Sequence, residues 1–195
     1  RVYDPDTSKA RGGATIKALT QADIDSLEKR SDIESVTPIY NPTIKYMTFG
    51  DNAKKFSGDV ATYNASLITD LAEGSLPGVG GQIESDQAVV PESYVQTLID
   101  EGVIKNTKEL IGKKLTLTAT QATVTPTSEA LTKAFATGGQ AAVEALVKPQ
   151  TKEFNFTIRA VSKKSAAALN STNEVQVAPS AARAIAEYST QGTDS

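Results

Sequence analysis

Apolar positions recur along this chain at two spacings, one helical and one alternating. Leu19, Ile24 and Leu27 fall at helical spacing and predict a helix over residues 20–30. Thr20 is placed to cap it, and Asp23 compensates the exposed N–H groups at its positive end. Ser31-Asp32 continue a helix poorly, and Arg30 suits a last turn. Glu34–Tyr40 reads as a strand in which Pro38 demands an edge or a bulge. From Thr43 to Phe49, Ile44, Tyr46 and Thr48 alternate with Lys45, Met47 and Phe49. Both faces carry large residues, which predicts a strand partly buried on each side. Gly50-Asp51-Asn52 is hairpin-turn sequence. Lys55–Thr62 then predicts a strand and Asn64–Leu71 a helix.

The second half carries stronger periodicity. Gln87–Val90 predicts a strand, with Pro91 in the first turn of the next helix, where its missing N–H costs nothing. Tyr94, Val95, Leu98 and Ile99 make a helical core stripe, and Gly102 suits the position after the helix end. Thr107–Ile111 predicts a short helix closed by Gly112. Lys113–Thr120 predicts a strand with Leu115, Leu117 and Ala119 on one face, and Thr120–Thr127 stays compatible with β structure. Ser128–Val147 predicts a helix capped by Ser128, with Leu131, Ala134 and Phe135 on one face. Gly138-Gly139 breaks it in two. Its Ala-rich face has two roles open to it: packing over a sheet, the commoner arrangement, or projecting toward a partner or substrate. Lys152–Val161 returns as a strand, with Phe154, Phe156 and Ile158 on one face. Asn173–Ala178 follows as a strand and Ser180–Tyr188 as a helix. Strands and helices alternating with several hairpins predict an α+β fold rather than a doubly wound sheet.

Composition narrows the chemistry. The 195 residues fit one domain or two small ones. A net charge of -3 argues against nucleic acid as a partner, which calls for a clustered basic surface. The pairs Lys54-Lys55, Lys113-Lys114 and Lys163-Lys164 read as solvated faces. Cys and His are both absent, which excludes disulfides, thiolate chemistry, a Ser-His-Asp triad and the usual zinc site. A carboxylate-only or Ser-Lys mechanism is what chemistry leaves open. Gly78-Val79-Gly80-Gly81 lacks the Lys-Ser/Thr of a phosphate loop. Asp4-Pro5-Asp6 lacks the remainder of a calcium loop. The acids Asp23, Asp25, Glu28, Asp32 and Glu34 read as solubility, with Asp25 and Lys29 an i,i+4 pair. Asn64, Asn155 and Asn170 begin glycosylation-type triplets. No internal repeat is visible. No run approaches the roughly 20 apolar residues of a membrane span, and no signal peptide opens the chain. No catalytic, cofactor-binding or metal residue is assigned, and no cofactor is expected.

Four segments in fixed order add a further signal. The first is Leu19–Leu27 followed by Ile33–Tyr40, whose strand carries Pro38 near its end. The second is Val89-Val90-Pro91-Glu92-Ser93-Tyr94-Val95, and the third is Ile111-Gly112-Lys113-Lys114-Leu115-Thr116-Leu117. The fourth pairs Phe156–Val161 with Glu174–Ala182. Together they resemble the extracytoplasmic domain of MacB-type ABC transporter permeases, the MacB-like periplasmic core domain found beside FtsX-like permease regions. The resemblance covers roughly residues 19–185, and order and spacing carry it rather than any single segment.

The resemblance implies mixed sheets with flanking helices. It implies a partial porter-like subdomain over residues 1–49 and an inserted second α+β subdomain over residues 50–195. Leu71-Ala72-Glu73-Gly74 resembles the family's stretch before an acidic, glycine-rich loop. The family's second porter half is missing from these residues, and its membrane spans are expected beyond both ends, in keeping with a start at Arg1. The domain would be no enzyme and would stand on the extracytoplasmic side of a bacterial cell membrane. Its partners would be a cognate cytoplasmic ABC ATPase, a second permease copy, and an adaptor or extracellular substrate. Substrates would be peptides, antibiotics or lipoproteins. A surface adhesion or ligand-binding module is the alternative that the Thr- and Ser-rich strands and acidic character suit, and a carboxylate or Ser-Lys hydrolase the third.

Overall fold

A computed structural model describes residues 21–32, 36, 38–40, 42–68, 70–78, 81–121, 126–163 and 173–190. The chain divides into two compact units, residues 1–38 and 39–195. In the first, α1 (Gln21–Glu28) forms where the apolar spacing predicts it, and the Arg30 N–H closes its end on the Leu27 carbonyl at 3.1 Å. Arg30 forks onto Asp32, with Nε to Oδ1 at 2.9 Å and Nη2 to Oδ2 at 2.7 Å. That bond holds the Asp32 carboxyl below its ordinary range. Val2-Tyr3, Asp4-Pro5-Asp6, the Thr20 cap and the Asp25 side chain lie outside the described residues.

The second unit holds one mixed sheet. Its strands are β1 (Tyr46–Phe49), β2 (Val60–Thr62), β3 (Leu71–Gly74), β4 (Gln87–Pro91), β5 (Lys114–Thr120), β6 (Thr151–Ser162) and β7 (Val175–Val177). They lie in the order β1-β5-β6-β4-β7-β2, with β3 also on β6. The pairs β4–β6 and β2–β7 are parallel and the others antiparallel. Helices α2 (Ser93–Asp100), α3 (Ser128–Val147) and α4 (Pro179–Thr190) complete an α+β fold. The expected subdomains met at Phe49, whereas β1 is paired along its length with β5, so residues 46–49 share a sheet with the strands that follow.

Alternation assigns the large apolar side chains to one face. Leu115, Leu117 and Ala119 of β5, Phe156 and Ile158 of β6, and Met47 and Phe49 of β1 turn to one face. Val95 and Leu98 of α2 and Ala181, Ala182 and Ile185 of α4 cover that face. Leu98 anchors α2 at its last turn, where the chain reverses by a Schellman arrangement. The Val103 N–H reaches the Leu98 carbonyl at 2.8 Å and the Gly102 N–H the Ile99 carbonyl at 2.9 Å. Gly102 takes φ +70, which only glycine adopts without strain. A smaller second cluster gathers Tyr63, Ile83, Val89, Ala160 and Ala178.

Several elements depart from the sequence expectation. Among the described residues of 34–40, Val36, Pro38, Ile39 and Tyr40 form no strand. Pro38 has no N–H to give a ladder, and the Tyr40 N–H goes to Thr62 Oγ1 at 3.0 Å instead. The strand expected over Lys55–Thr62 contracts to Val60–Thr62, with Phe56 exchanging two 2.9 Å bonds with Met47 as an isolated bridge. Between them Gly58 lies so close to Tyr94 that a Cβ would overlap the phenol. Asn64–Leu71 is not a helix. It holds a single 3₁₀ turn, Ala65–Leu67, and Leu71 opens β3. Pro91 ends β4 opposite Ser162 rather than entering α2, and the next residue, Glu92, donates its N–H to the Ser162 carbonyl at 2.8 Å.

Candidate functional site

The connection between β5 and β6 is the part of the sheet unit least used for its own packing. The two strands pair through seven residues, from Lys114↔Thr157 to Thr120↔Thr151. The Gln121 N–H then reaches the Gln150 carbonyl at 2.9 Å, so the excursion leaves and returns at one point. The helix α3 fills it. Its N-cap is Thr127, not Ser128: the Thr127 Oγ1 accepts from the Ala130 N–H at 3.2 Å. Thr132 and Thr137 bond back to the carbonyls of Ser128 and Lys133, at 2.8 and 2.9 Å. At Gly139 the backbone leaves helical geometry, with φ 61 and ψ -152. That conformation is open essentially to glycine alone. The break predicted at Gly138-Gly139 is present.

None of the residues of α3 is buried. The helix therefore stands off the sheet, and packing over it, the commoner of the two arrangements, does not occur. Phe135 is 64% exposed, Leu146 45% and Val147 40%. Leu131 and Ala134, expected beside Phe135, are half-buried. Short helices are marginal in water without tertiary packing. A helix held at both ends that leaves a phenyl ring and two large aliphatic side chains in solvent is suited to contact with something else. Although α3 is 20 residues long, no helix among the described residues is apolar enough to cross a membrane, and α3 itself carries Glu129, Lys133 and Glu144.

A second feature is an open cleft of about 410 Å³ where the segment entering β2 meets α2. It is lined by Lys55, Phe56 and Ser57, by Ser93, Tyr94 and Thr97 of α2, and by Asn173. The Lys55 ammonium lies 4.5 Å from the centre of the Tyr46 ring. Burial, and after it the charge of Asp59, pushes the Tyr94 phenol up. Sequence reasoning did not assemble this cleft, because its residues come from three distant segments and carry no motif.

The sequence-predicted acids scatter. Asp100 accepts from Gln96 Nε2 at 2.7 Å along α2, and Glu101 pairs with Lys54 at 2.7 Å. Lys163 pairs with Asp70 at 3.1 Å and lowers its carboxyl pKa. Lys113 lies against Gly50, and Lys114 is exposed at the start of β5. Asn155 is exposed on β6, its Oδ1 accepting from Thr116 Oγ1 at 2.8 Å. Asn64 lies just after β2, where its N–H meets Gln176 Oε1 at 3.2 Å. The Gly81 N–H reaches the Gly78 carbonyl at 2.8 Å, and Asn170 falls outside the described residues. Among the described residues no three acids gather in a way that would hold a metal ion. No protein-family model matches the chain, and no curated protein matches it.

Proposed function

We propose that this chain is the extracytoplasmic domain of an ABC transporter permease of the MacB type, and that α3 is the element through which it meets its partners. The observation that carries the proposal is the excursion between β5 and β6. It is a helix without a buried residue, mounted on the end of a continuous seven-pair ladder. A domain that passes on motion needs a stiff body and an exposed contact, and no reacting group. The four ordered segments behind the family resemblance support the same conclusion. Three of them supply β4, β5, β6 and β7 of the sheet unit. ATP hydrolysis would then occur on a separate cytoplasmic ATPase, and a second permease copy would complete the working assembly. The transported class would be a peptide, an antibiotic or a lipoprotein.

The test is to sequence the DNA on both sides of this coding segment. Membrane spans flanking the segment, with an ATPase gene alongside, support the proposal. Flanks encoding a signal peptide and a wall anchor, without spans, overturn it in favour of an adhesion or ligand-binding module.

A further inference from the structure

The sequence around the break in α3 is complementary to itself. Counted outward from Gly138-Gly139, Lys133 stands five residues before and Glu144 five after. Glu129 stands nine before and Lys148, the C-cap, nine after. Each acid thus has a base at the mirrored position. Apolar residues mirror one another as well: Leu131 and Leu146 match at seven residues, and Phe135 and Ala142 at three. The mirrored charges are not paired within the chain. All four are exposed, and none makes an ion pair among the described residues. Glu144 accepts only a bond from Gln140 Nε2, at 3.1 Å along its own helix.

We propose that α3 pairs antiparallel with α3 of a second copy of this chain, about a two-fold axis passing beside Gly138-Gly139. In such a pair, residues equally far from the axis on opposite sides come to one level. Lys133 is then level with Glu144 of the second copy, and Glu129 with Lys148 of the second copy. Symmetry makes each match twice. A parallel pair would set every residue level with itself, Glu on Glu and Lys on Lys, and like charges so placed repel. Charge therefore selects both the direction and the occupant, since a second copy necessarily supplies the mirrored order. The kink is no obstacle: the axis lays the first arm of one helix along the second arm of the other at any kink angle. The exposed Phe135 ring comes level with the small Ala142, and the exposed Val147 with Ala130, so that large residues meet small ones. At the axis itself, two glycines carry no side chain to hold the backbones apart. This inference rests on the reading of α3 as the contact element and names its partner, but not on membrane spans or an ATPase.

The experiment is sedimentation velocity of the whole chain at low salt, where exposed charges are least screened. Concentrations run from about 10 μM to 1 mM, the range in which a small interface associates. A concentration-dependent dimer is expected. Lys133→Glu alone sets two acids level with acids, and Glu144→Lys alone sets two bases level with bases. Each variant should dimerise about tenfold more weakly. An equimolar mixture of the two restores both opposite-charge matches and should recover the affinity. A second measurement uses the absence of cysteine from the chain. Spin labels on Ala136→Cys, near the axis, should lie much closer across the dimer than labels on Ser128→Cys, at the helix start. A mixture no tighter than its components overturns the pairing, and so do equal label separations at the two positions. The labels decide even where a charge variant fails to fold. A chain that is monomeric throughout overturns the pairing and leaves the flanking-gene test of the transporter reading intact, whereas flanks without spans overturn that reading and leave the dimer standing.

Discussion

Replacing Tyr63 by Phe should stabilise this protein. The Tyr63 side chain is fully buried in the smaller core cluster, and its hydroxyl has no hydrogen-bond partner among the described residues. Burial also pushes the phenol pKa up. A buried hydroxyl without a partner costs about 1–3 kcal/mol in lost hydration. The substitution keeps the ring in the cluster with Ile83 and Val89 and deletes only the oxygen. The void left is at most roughly 15 Å³, the room of one water probe. At about 24 cal/mol per Å³ it costs about 0.4 kcal/mol. The net expectation is a gain of roughly 0.5–2.5 kcal/mol. The 2.7 Å bond from the Tyr63 N–H to the Val177 carbonyl belongs to the backbone and survives the change. Urea unfolding of both proteins is the assay, with the slope checked so that the midpoints compare like transitions. Thermal unfolding should agree, at about 2–4 °C per kcal/mol for a unit of this size. A loss of about 1 kcal/mol or more on Tyr63→Phe refutes the reasoning, because only a hydroxyl that is bonded in solution would be missed.

Other outcomes follow from the same geometry. Gly58→Ala should destabilise by about 1–3 kcal/mol, an overpacking cost, since the new methyl overlaps the Tyr94 phenol and crowds Met47; adding Tyr94→Phe should recover part of the loss in a double-mutant cycle, and full additivity would refute the contact. Phe135→Ser should change the free energy of unfolding in urea by no more than about 0.5 kcal/mol, as for other surface positions; a large loss of stability would mean that the ring packs at home. Asp70, held low by its bond to Lys163, contributes stability above its unfolded pKa that is lost as pH falls through the folded one. Asp70→Asn should therefore flatten the acid limb of a stability–pH curve below about pH 4, and an unchanged limb counts against the ion pair in solution.

Legibility in the sequence tracked the length and regularity of each element. β5 alternates in sequence along its 7 residues and β6 from Phe154 to Ala160, so their faces could be read directly. α2 declared its stripe and its glycine stop, and the broken α3 declared its glycine pair. β2 and β3, at 3 and 4 residues, are too short for a period to show. Their partners, β7 and β6, lie far along the chain, and long-range pairing overrode the local helical pattern at 64–71. The projecting role of α3 was one of two arrangements open to its Ala-rich face. Only tertiary packing could choose, because Leu131, Ala134 and Phe135 suit a core and a contact surface equally.

The mounting of α3 also has a mechanical consequence. The excursion that carries it leaves and re-enters the β5–β6 ladder at one terminus, beside Thr120↔Thr151. A pull on α3 along the strand axes loads β5 and β6 together. Their cross-strand bonds then carry no relative sliding, and the force passes into the centre of the sheet, where β4 and β3 also grip β6. A force that spreads the two ends of α3 apart meets the ladder bond by bond, starting at Gln121 and Gln150, and peels it. At the ladder the attachment is thus stiff in one direction and compliant in the other, an anisotropy set by seven pairs of residues.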